Sequence, residues 1–276
     1  AWADWKSSDG VLYAAQTPML NDIMTIQEIY GADTTTRTGD TIYGFNSNID
    51  GINRQIFDFK QNAHPIITIY DAGGNDTLDL SGWSTPVVID LAAGAFSSGN
   101  GMTDNIAVAY NTDIENAVGG SGTNKISGNA LSNRLVGGVK NDTIYALSGD
   151  DEIVIAGGDD FVDGGDGFDV AWFGKPLSKY QFTTQSDALT VRTGDGVAEL
   201  KSIEAIEFDD YTISVNDLFY GDITVDFSMP QKFSDATAQQ IDSVIEFYTA
   251  YFNRIPEASG LKFWTDQLVR GESLND

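Results

Sequence analysis

Several residue types are scarce in this 276-residue chain, and each scarcity excludes a class of chemistry. Cysteine is absent, so neither disulfides nor thiol catalysis contributes. The single histidine, His64, cannot by itself form a zinc site built from several histidines. Only 15 basic residues stand against 41 acidic ones, and no basic stripe exists, which argues against nucleic acid as a partner. No apolar run reaches about 18 residues, so we expect no membrane span.

The acidic excess gives the chain a formal charge of -26. Self-repulsion of this size destabilises a compact fold unless cations are bound. The absence of cysteine does not indicate a cytoplasmic protein, because bound calcium can replace disulfides outside the cell. The composition therefore favours a secreted protein that carries metal ions.

A nine-residue repeat runs from Gly119 to Trp172 in six consecutive blocks, GGSGTNKIS, GNALSNRLV, GGVKNDTIY, ALSGDDEIV, IAGGDDFVD and GGDGFDVAW. The sixth position is an amide or a carboxylate in every block: Asn124, Asn133, Asp142, Asp151, Asp160 and Asp169. The eighth position is apolar: Ile126, Leu135, Ile144, Ile153, Val162 and Ala171. The pattern resembles the GGxGxDxUx unit of RTX parallel β-rolls, in which glycine-rich turns alternate with very short strands.

Turns on the same edge of such a roll are 18 residues apart, which predicts that Asp142 lies over Asp160 and Asp151 over Asp169. Carboxylates this close repel each other unless a cation lies between them. Calcium suits the position because it accepts several oxygen ligands at about 2.3–2.6 Å, and turn carbonyls would complete the shell. The ligands predicted within the repeats are Asp142, Gly149, Asp151, Gly158, Asp160, Gly167 and Asp169.

The repeats are uneven. Asn124 and Asn133 carry no charge, and Leu131 and Lys140 replace the glycine of the fourth position. We therefore expect strong calcium sites in the second half of the roll and weak or absent sites in the first half.

Outside the repeats, the sequence predicts one N-terminal helix and a series of strands. Thr17 is a suitable N-cap, Pro18 suits the first helical position, and Gly31 is a natural stop. Helical spacing places Met19, Leu20, Ile23, Met24, Gln27 and Tyr30 on one face. The strands predicted before the repeats are Thr41–Phe45, Ile66–Tyr70, Thr77–Leu80, Val87–Leu91 and Ile106–Ala109; those after them, forming a β cap over the open end of the roll, are Tyr180–Thr184, Leu189–Arg192, Ala205–Phe208 and Tyr211–Val215.

Three segments closely resemble serralysin-type metalloproteases, in the part that joins the zinc protease domain to the roll: Tyr13–Asn48, Tyr70–Trp83 (YDAGGNDTLDLSGW) and Asn111–Gly122 (NTDIENAVGGSG). The resemblance covers roughly Ala1 to Trp172 and implies two calcium sites ahead of the roll. The first would use the main-chain oxygens of Arg37, Gly39 and Gly73 with the side chains of Thr41, Asp71 and Asp76; the second would use Gly74, Asp76, Asp113 and Glu115.

The C-terminal segment Phe247–Leu274 resembles DUF4214, a helical family of bacterial secreted and surface proteins. It follows a linker around Gly221–Phe233, and its aromatic residues at helical spacing favour a helical core over a ligand surface. The predicted fold is mainly β, an RTX parallel β-roll with flanking sandwich or cap strands, one N-terminal helix and a small C-terminal helical segment. The predicted units are a linker and helix (1–36), the calcium-binding roll (37–172), the β cap (173–220), and the linker with the partial helical domain (221–276).

Two functions remain open at this point. The chain is expected to be the calcium-binding roll of a secreted, extracellular bacterial zinc protease, which folds in calcium after type I secretion and supports an upstream protease domain. The alternative is a non-enzymatic module for adhesion or cell-surface attachment. The serralysin resemblance favours the first, with several calcium ions as cofactors and zinc only in an upstream catalytic domain.

The zinc motif HExxHxxGxxH of a serralysin protease is absent from these 276 residues, so the isolated chain is expected to lack zinc-dependent proteolysis. The measurement is casein digestion by purified chain, free of contaminating protease. Digestion that a zinc chelator stops would contradict this prediction.

Overall fold

The structure, a computed structural model, describes residues 5–6, 10–185 and 188–215. The predicted linker from Gly221 and the DUF4214-like segment lie outside these residues. Neither of the α-helices in the described ranges is long and apolar enough to cross a membrane.

Helix α1 spans Leu20–Tyr30 and ends, as predicted, at Gly31, whose φ is +85°. The predicted N-cap, Thr17, is wrong. Its hydroxyl accepts the main-chain N–H of Thr68 at 2.7 Å and is therefore engaged in a tertiary contact. The helix instead begins after Met19.

The inner face of α1 agrees with the predicted spacing except at one position. Leu20 is buried, and Ile23, Met24 and Gln27 are half-buried. Tyr30 was predicted on this face but is 83% exposed, at the last residue of the helix. Three short helices that the pattern did not predict follow in the described chain: 3-10 helices at Gly51–Asn53 and Leu177–Lys179, and α2 at Arg54–Phe57.

The rest of the described chain is built from short strands. In chain order they are β1 (Trp5–Lys6), β2 (Leu12–Tyr13), β3 (Ile42–Gly44), β4 (Ile67–Ile69), β5 (Thr77–Asp79), β6 (Val87–Asp90), β7 (Phe96–Ser97), β8 (Ile106–Val108), β9 (Asn116–Val118), β10 (Asn124–Ser127), β11 (Arg134–Val136), β12 (Thr143–Tyr145), β13 (Glu152–Ile155), β14 (Gly158–Asp163), β15 (Val170–Phe173), β16 (Gln181–Gln185), β17 (Ala188–Thr193), β18 (Gly196–Lys201), β19 (Ala205–Phe208) and β20 (Thr212–Ser214). Every strand predicted outside the repeats is present, with ends that differ by at most one residue. Five strands outside the repeats were not predicted: β1, β2, β7, β9 and β18.

Two large sheets make up the roll. The eight-stranded sheet, here called the long sheet, has the order β20-β19-β15-β13-β11-β9-β5-β3, and the seven-stranded short sheet has the order β16-β17-β18-β14-β12-β10-β6. From β9 to β15 the chain crosses from one sheet to the other after every strand, and neighbours in each sheet pair in parallel. The predicted parallel β-roll is confirmed.

The eighth-position side chains form the core between the two sheets. Ile126, Ile144 and Val162 are in register in the short sheet, and Leu135 and Ile153 are in register in the long sheet. All of them are buried. Because successive side chains of a strand point to opposite faces, each very short strand contributes one central side chain to this core. Burial of each larger one contributes about 1.5–3 kcal/mol.

Strands outside the repeats continue both sheets. Upstream, β9 pairs with β5 and β5 with β3, while β10 pairs with β6. Downstream, β14 pairs in parallel with β18 and β15 with β19, and antiparallel partners follow on each side. The strands after the repeats therefore cover the end of the roll by extending its sheets. The exact limits of the predicted units stay predictions.

Glycine is required where one turn stacks directly on another. Gly165 has a φ of +100°, and a Cβ there would lie 2.0 Å from the carbonyl oxygen of Leu147 in the turn below. Gly194 lies in a hairpin turn, and a Cβ there would meet no atom within 4 Å.

Replacement of Gly165 by alanine should therefore destabilise the roll by about 2–4 kcal/mol, through left-handed backbone strain and a steric clash. Gly194→Ala, the control, should change the free energy of unfolding by less than about 1 kcal/mol. Urea unfolding in millimolar calcium measures both variants. If both variants change the free energy of unfolding equally, the stacked turns can shift to accept a Cβ and the prediction is wrong.

Candidate metal sites at the edges of the roll

One edge of the long sheet carries a continuous row of polar residues, here called the long-sheet ladder: Thr41, Asp76, Glu115, Asn133, Asp151, Asp169 and Glu204. Each member stands two residues before a buried side chain of its strand. The main-chain N–H of Thr41 donates to Asp76 Oδ1 at 2.7 Å, and that of Asp76 donates to Glu115 Oε2 at 2.7 Å. The residues predicted as calcium ligands ahead of the repeats, Thr41, Asp76 and Glu115, therefore belong to the same row as those within the repeats.

The second half of this ladder repeats the contact. The N–H of Asn133 donates to Asp151 Oδ1 at 2.6 Å, and that of Asp151 donates to Asp169 Oδ1 at 3.0 Å. The N–H of Asp169 in turn donates to Glu204 Oε2 at 2.8 Å. The predicted stacking of Asp151 over Asp169 is thus present, with one oxygen of each carboxylate bound to the preceding turn.

The opposite edge carries a shorter row, here called the short-sheet ladder: Asn124, Asp142 and Asp160. The N–H of Asn124 donates to Asp142 Oδ1 at 2.7 Å, and that of Asp142 donates to Asp160 Oδ1 at 2.8 Å. The ladder stops at both ends because apolar residues occupy the next positions, Val87 beside Asn124 and Ala198 beside Asp160.

Four side chains at the fifth position of the repeat also link the turns. The sixth-position side chains accept an N–H from the turn before them, whereas these accept one from the turn after. Each accepts an N–H from the following turn on its edge: Ser132 from Asp150 (3.2 Å), Asn141 from Asp159 (3.0 Å), Asp150 from Phe168 (2.9 Å) and Asp159 from Val197 (3.2 Å). Adjacent turns are therefore tied together by side chains that reach both up and down the stack.

Three ladder carboxylates have a second oxygen without a hydrogen-bond partner. Oδ2 of Asp76, Asp151 and Asp169 is buried and unpaired, and the three residues are at most 2% exposed. A buried charged oxygen without a partner is costly, so a cation is the natural partner for each. This chemistry fits the predicted calcium ligands.

The pKa values of the ladder carboxyls are perturbed in the same sense. Burial raises the pKa of Asp76, Asp151 and Asp160 to about 7 and that of Asp169 to about 6, against the partial opposing effect of the accepted N–H groups. Burial also raises the pKa of Asp142, where hydrogen bonds from Gly138 and Asn124 oppose it. Without a cation, these sites therefore resist holding full negative charge at neutral pH.

The residues predicted for the first upstream site lie near the start of the long-sheet ladder. Thr41 Oγ1 donates to the carbonyl oxygen of Gly39 at 2.9 Å. A Cβ at Gly74, where φ is +145°, would lie 2.7 Å from Gly39 O and 2.8 Å from Asp76 Oδ1. Main-chain and carboxylate oxygens thus converge where only glycine fits.

The other predicted members of this group are held by contacts of their own. Asp71 is buried, accepts the Tyr43 hydroxyl at 2.6 Å through Oδ2, and accepts the N–H of Gly73 at 3.0 Å through Oδ1. Arg37 has a φ of +52°, and its guanidinium donates to the carbonyl oxygen of Tyr70 at 2.7 Å.

The residues predicted for the second upstream site are Gly74, Asp76, Asp113 and Glu115. Glu115 contacts the N–H of Asp76, as described, and Gly74 lies beside Asp76. Asp113 is exposed and lines a groove of about 440 Å³ together with Asn129, Leu131 and Leu147.

The turn glycines predicted as ligands stand over carbonyl groups of the turn below. A Cβ at Gly149, Gly158 or Gly167 would lie 2.4 Å from Leu131 O, 2.6 Å from Lys140 O and 1.9 Å from Gly149 O, respectively. All three glycines have positive φ. Carbonyl oxygens therefore line the space between turns, beside the sixth-position carboxylates.

Within the described ranges, no three His, Asp or Glu side chains converge as a metal site. A metal here would be held by one or two carboxylates with main-chain carbonyls, which is typical of calcium and differs from the nitrogen- and sulfur-rich sites of zinc. His64 stacks on the ring of Tyr13, with centroids 4.3 Å apart.

Glu204 is a ladder member that the repeat pattern did not predict. It lies beyond the last block, and 35 residues separate it from Asp169. The signal is nevertheless present, because Glu204 precedes the buried Ile206 by two residues, as Asp169 precedes Ala171. A search for an acidic residue two positions before an apolar one, without fixed spacing, would have found it.

Comparison with known proteins accords with this architecture. The family model described as Peptidase M10 serralysin C terminal matches residues 32–239. The chain belongs to this family. The match continues past Trp172, the predicted limit of the serralysin resemblance, and so includes the strands that extend the roll.

Relatives within this family are proteases by name. The chain is 48% identical over 121 residues to the serralysin of Proteus mirabilis. This alignment covers 44% of this chain and 24% of the relative. The chain is 50% identical over 109 residues to the serralysin of Photorhabdus sp. strain Az29 (39% and 22%), and 43% identical over 127 residues to Metalloprotease AprA of Pseudomonas entomophila (46% and 26%). The chain thus spans about a quarter of the length of these relatives.

A solved structure, the extracellular lipase LipA from Serratia marcescens, is similar over a short stretch. The matched region covers 32% of this chain and 14% of the lipase, at 25% sequence identity and with a TM-score of 0.31.

The buried ladder carboxylates generate a prediction about site strength. Asp151→Ala and Asp160→Ala each remove a ladder carboxylate, so calcium affinity at the affected site should fall by roughly tenfold or more. Asn124→Ala should weaken calcium binding much less, because a neutral amide contributes little to holding a divalent ion.

Isothermal titration with calcium measures these affinities. The matched control is Asp166→Ala, which removes an exposed carboxylate from a neighbouring turn. Equal losses in all four variants would contradict an uneven roll and point to a general effect of charge.

Proposed function

We propose that this chain is the calcium-binding roll of a secreted serralysin-like zinc metalloprotease, and that calcium binding drives its folding after export. The observation that carries the proposal is the row of buried carboxylates whose second oxygen has no partner, at Asp76, Asp151 and Asp169. The family membership supports the same conclusion.

The chain's own residues would divide the work of holding calcium. Asp151 and Asp169 would contribute their free oxygens on the long-sheet edge, and Asp142 and Asp160 would serve the short-sheet edge. Turn carbonyls, those of Gly149, Gly158 and Gly167 among them, would supply neutral ligands. Upstream, Asp76 would take part in both predicted sites. Calcium, when bound, would supply the positive charge that stacked carboxylates require.

Folding without cations is opposed by two effects. Stacked carboxylates repel one another, and glycine-rich turns lose more conformational entropy on ordering than other segments. Because the ligand set exists only in the folded roll, calcium binding energy becomes folding energy. Extracellular calcium modules bind at roughly 10⁻⁴–10⁻³ M, so the roll would stay unfolded where calcium is scarce and fold outside the cell. This direction suits export of an unfolded chain through a type I secretion channel.

The partner proposed for the roll is a protease domain upstream in the same protein. The named relatives are serralysins and a metalloprotease, of which this chain corresponds to about a quarter. Zinc chemistry would reside in that domain, and the roll would stabilise it. The alternative, an attachment module on the cell surface, is not favoured, because the serralysin match spans residues 32–239.

Removal of calcium should therefore unfold the roll. Far-UV circular dichroism and limited proteolysis of the purified chain, in millimolar calcium and in excess chelator, measure the change. We expect the β signal and protease resistance of residues 37–172 to appear only with calcium.

Magnesium at equal concentration is the control, since its small size and strict octahedral geometry suit these ligands poorly. A β signal and protease resistance that persist in chelator would overturn the proposal. If magnesium restored the β signal and protease resistance as well as calcium does, the effect would be charge screening and not calcium binding.

A further inference from the structure

The carboxamide of Asn124 lies in the space between two stacked turns, where sites further along the roll present oxygens to a cation. The residue is 1% exposed. Its Nδ2 lies 3.0 Å from Gly120 O, 3.1 Å from Gly122 O and 2.7 Å from Asp142 Oδ1. One nitrogen thus faces two main-chain carbonyls of its own turn and the carboxylate of the next.

The orientation of this amide follows from its surroundings. Its oxygen, Oδ1, accepts the main-chain N–H of Gly120 at 2.8 Å. Its nitrogen, Nδ2, is surrounded only by acceptor oxygens. A flipped amide would place Oδ1 against those three oxygens and would lose all of these hydrogen bonds. The donor end therefore points into the space between the turns.

Asp142 differs from Asp76, Asp151 and Asp169 because both of its oxygens accept hydrogen bonds. Oδ1 accepts both the main-chain N–H and the side-chain Nδ2 of Asn124, and Oδ2 accepts the N–H of Gly138. Asp151 and Asp169, by contrast, each keep a buried oxygen without a partner. Between turns 119–124 and 137–142, Asp142 thus presents no oxygen that lacks a partner.

The turn above closes this space. A Cβ at Gly138 would lie 2.3 Å from Gly120 O and 2.8 Å from Asn124 Nδ2. The amide nitrogen therefore fills a position that the main chain of the next turn covers directly.

We propose that the carboxamide of Asn124 takes the place of a calcium ion between turns 119–124 and 137–142, so that this pair of turns is held without metal. The inference rests on the proposed function, since it assigns which turns of a calcium-binding roll bind no ion. The N–H groups of the neutral amide present partial positive charge to two carbonyls and a carboxylate, an oxygen set that calcium also accepts.

The variant Asn124→Asp tests this assignment. It removes both N–H donors and adds a carboxylate oxygen to the same set, which converts an ion-free position into one that requires a cation. We expect the folded variant to bind one more calcium per chain than the wild type, counted by equilibrium dialysis with elemental analysis.

Asn141→Asp is the matched control. It adds the same charge one residue before Asp142, at an exposed position whose Oδ1 accepts the N–H of Asp159 and would still do so as a carboxylate. The control should bind the wild-type number of ions and keep the wild-type calcium concentration for half-folding, whereas Asn124→Asp should shift that concentration upward.

The outcomes separate the two proposals. A wild type that binds no calcium refutes the proposed function. A wild type that binds calcium, with no additional ion in Asn124→Asp, overturns the assignment of Asn124, and so does a variant that fails to fold at any calcium concentration. In the calcium-loaded wild type, the side-chain NH₂ signals of Asn124 in NMR spectra should be protected from solvent exchange. Rapid exchange of these signals would also contradict the assignment.

Discussion

A hydrogen bond between stacked turns is the contact on which the roll depends. In each ladder, a carboxylate of one turn accepts the main-chain N–H of the turn before it, as Asp169 does from Asp151 at 3.0 Å. This bond fixes the register of the turns and buries the carboxylate. It uses only one oxygen, so it also creates the demand for a cation at the other. Stacking order and the proposed metal dependence therefore have one physical origin.

The hydrophobic core alone gives these strands little independent stability. A strand such as β11 or β12 contributes one fully buried side chain to the interior, Leu135 or Ile144, and its neighbours along the strand lie nearer the surface. Ordering each turn costs backbone entropy, most of all at glycine. The links between turns, and the ions that would complete them, must offset that cost. The edges of the roll are thus as important to folding as its core.

The repeated part of the fold was predictable because the repeat is short and regular in the sequence. Nine-residue spacing identified the sixth and eighth positions, and with them the roll and the stacking of Asp151 over Asp169. The cap of α1 was not predictable from local pattern, since the hydroxyl of Thr17 bonds to Thr68, which is distant in sequence. The continuity of the ladder through Glu204 was also hidden, because irregular insertions separate its members. Local periodicity carried the prediction as far as the repeat extends, and tertiary contacts decided the rest.

The two asparagines of the ladders are not equivalent, although the repeat places both at the sixth position. Nδ2 of Asn133 donates to Glu115 O and to Asn129 Oδ1, both at 3.0 Å, and so leaves Oδ2 of Asp151 without a partner. Only Asn124 reaches forward to the next carboxylate. Within the first turns of the repeats, the need for a cation therefore differs between the two edges. The partners of each carboxylate, rather than the number of repeats, decide where a buried oxygen is left without a hydrogen bond.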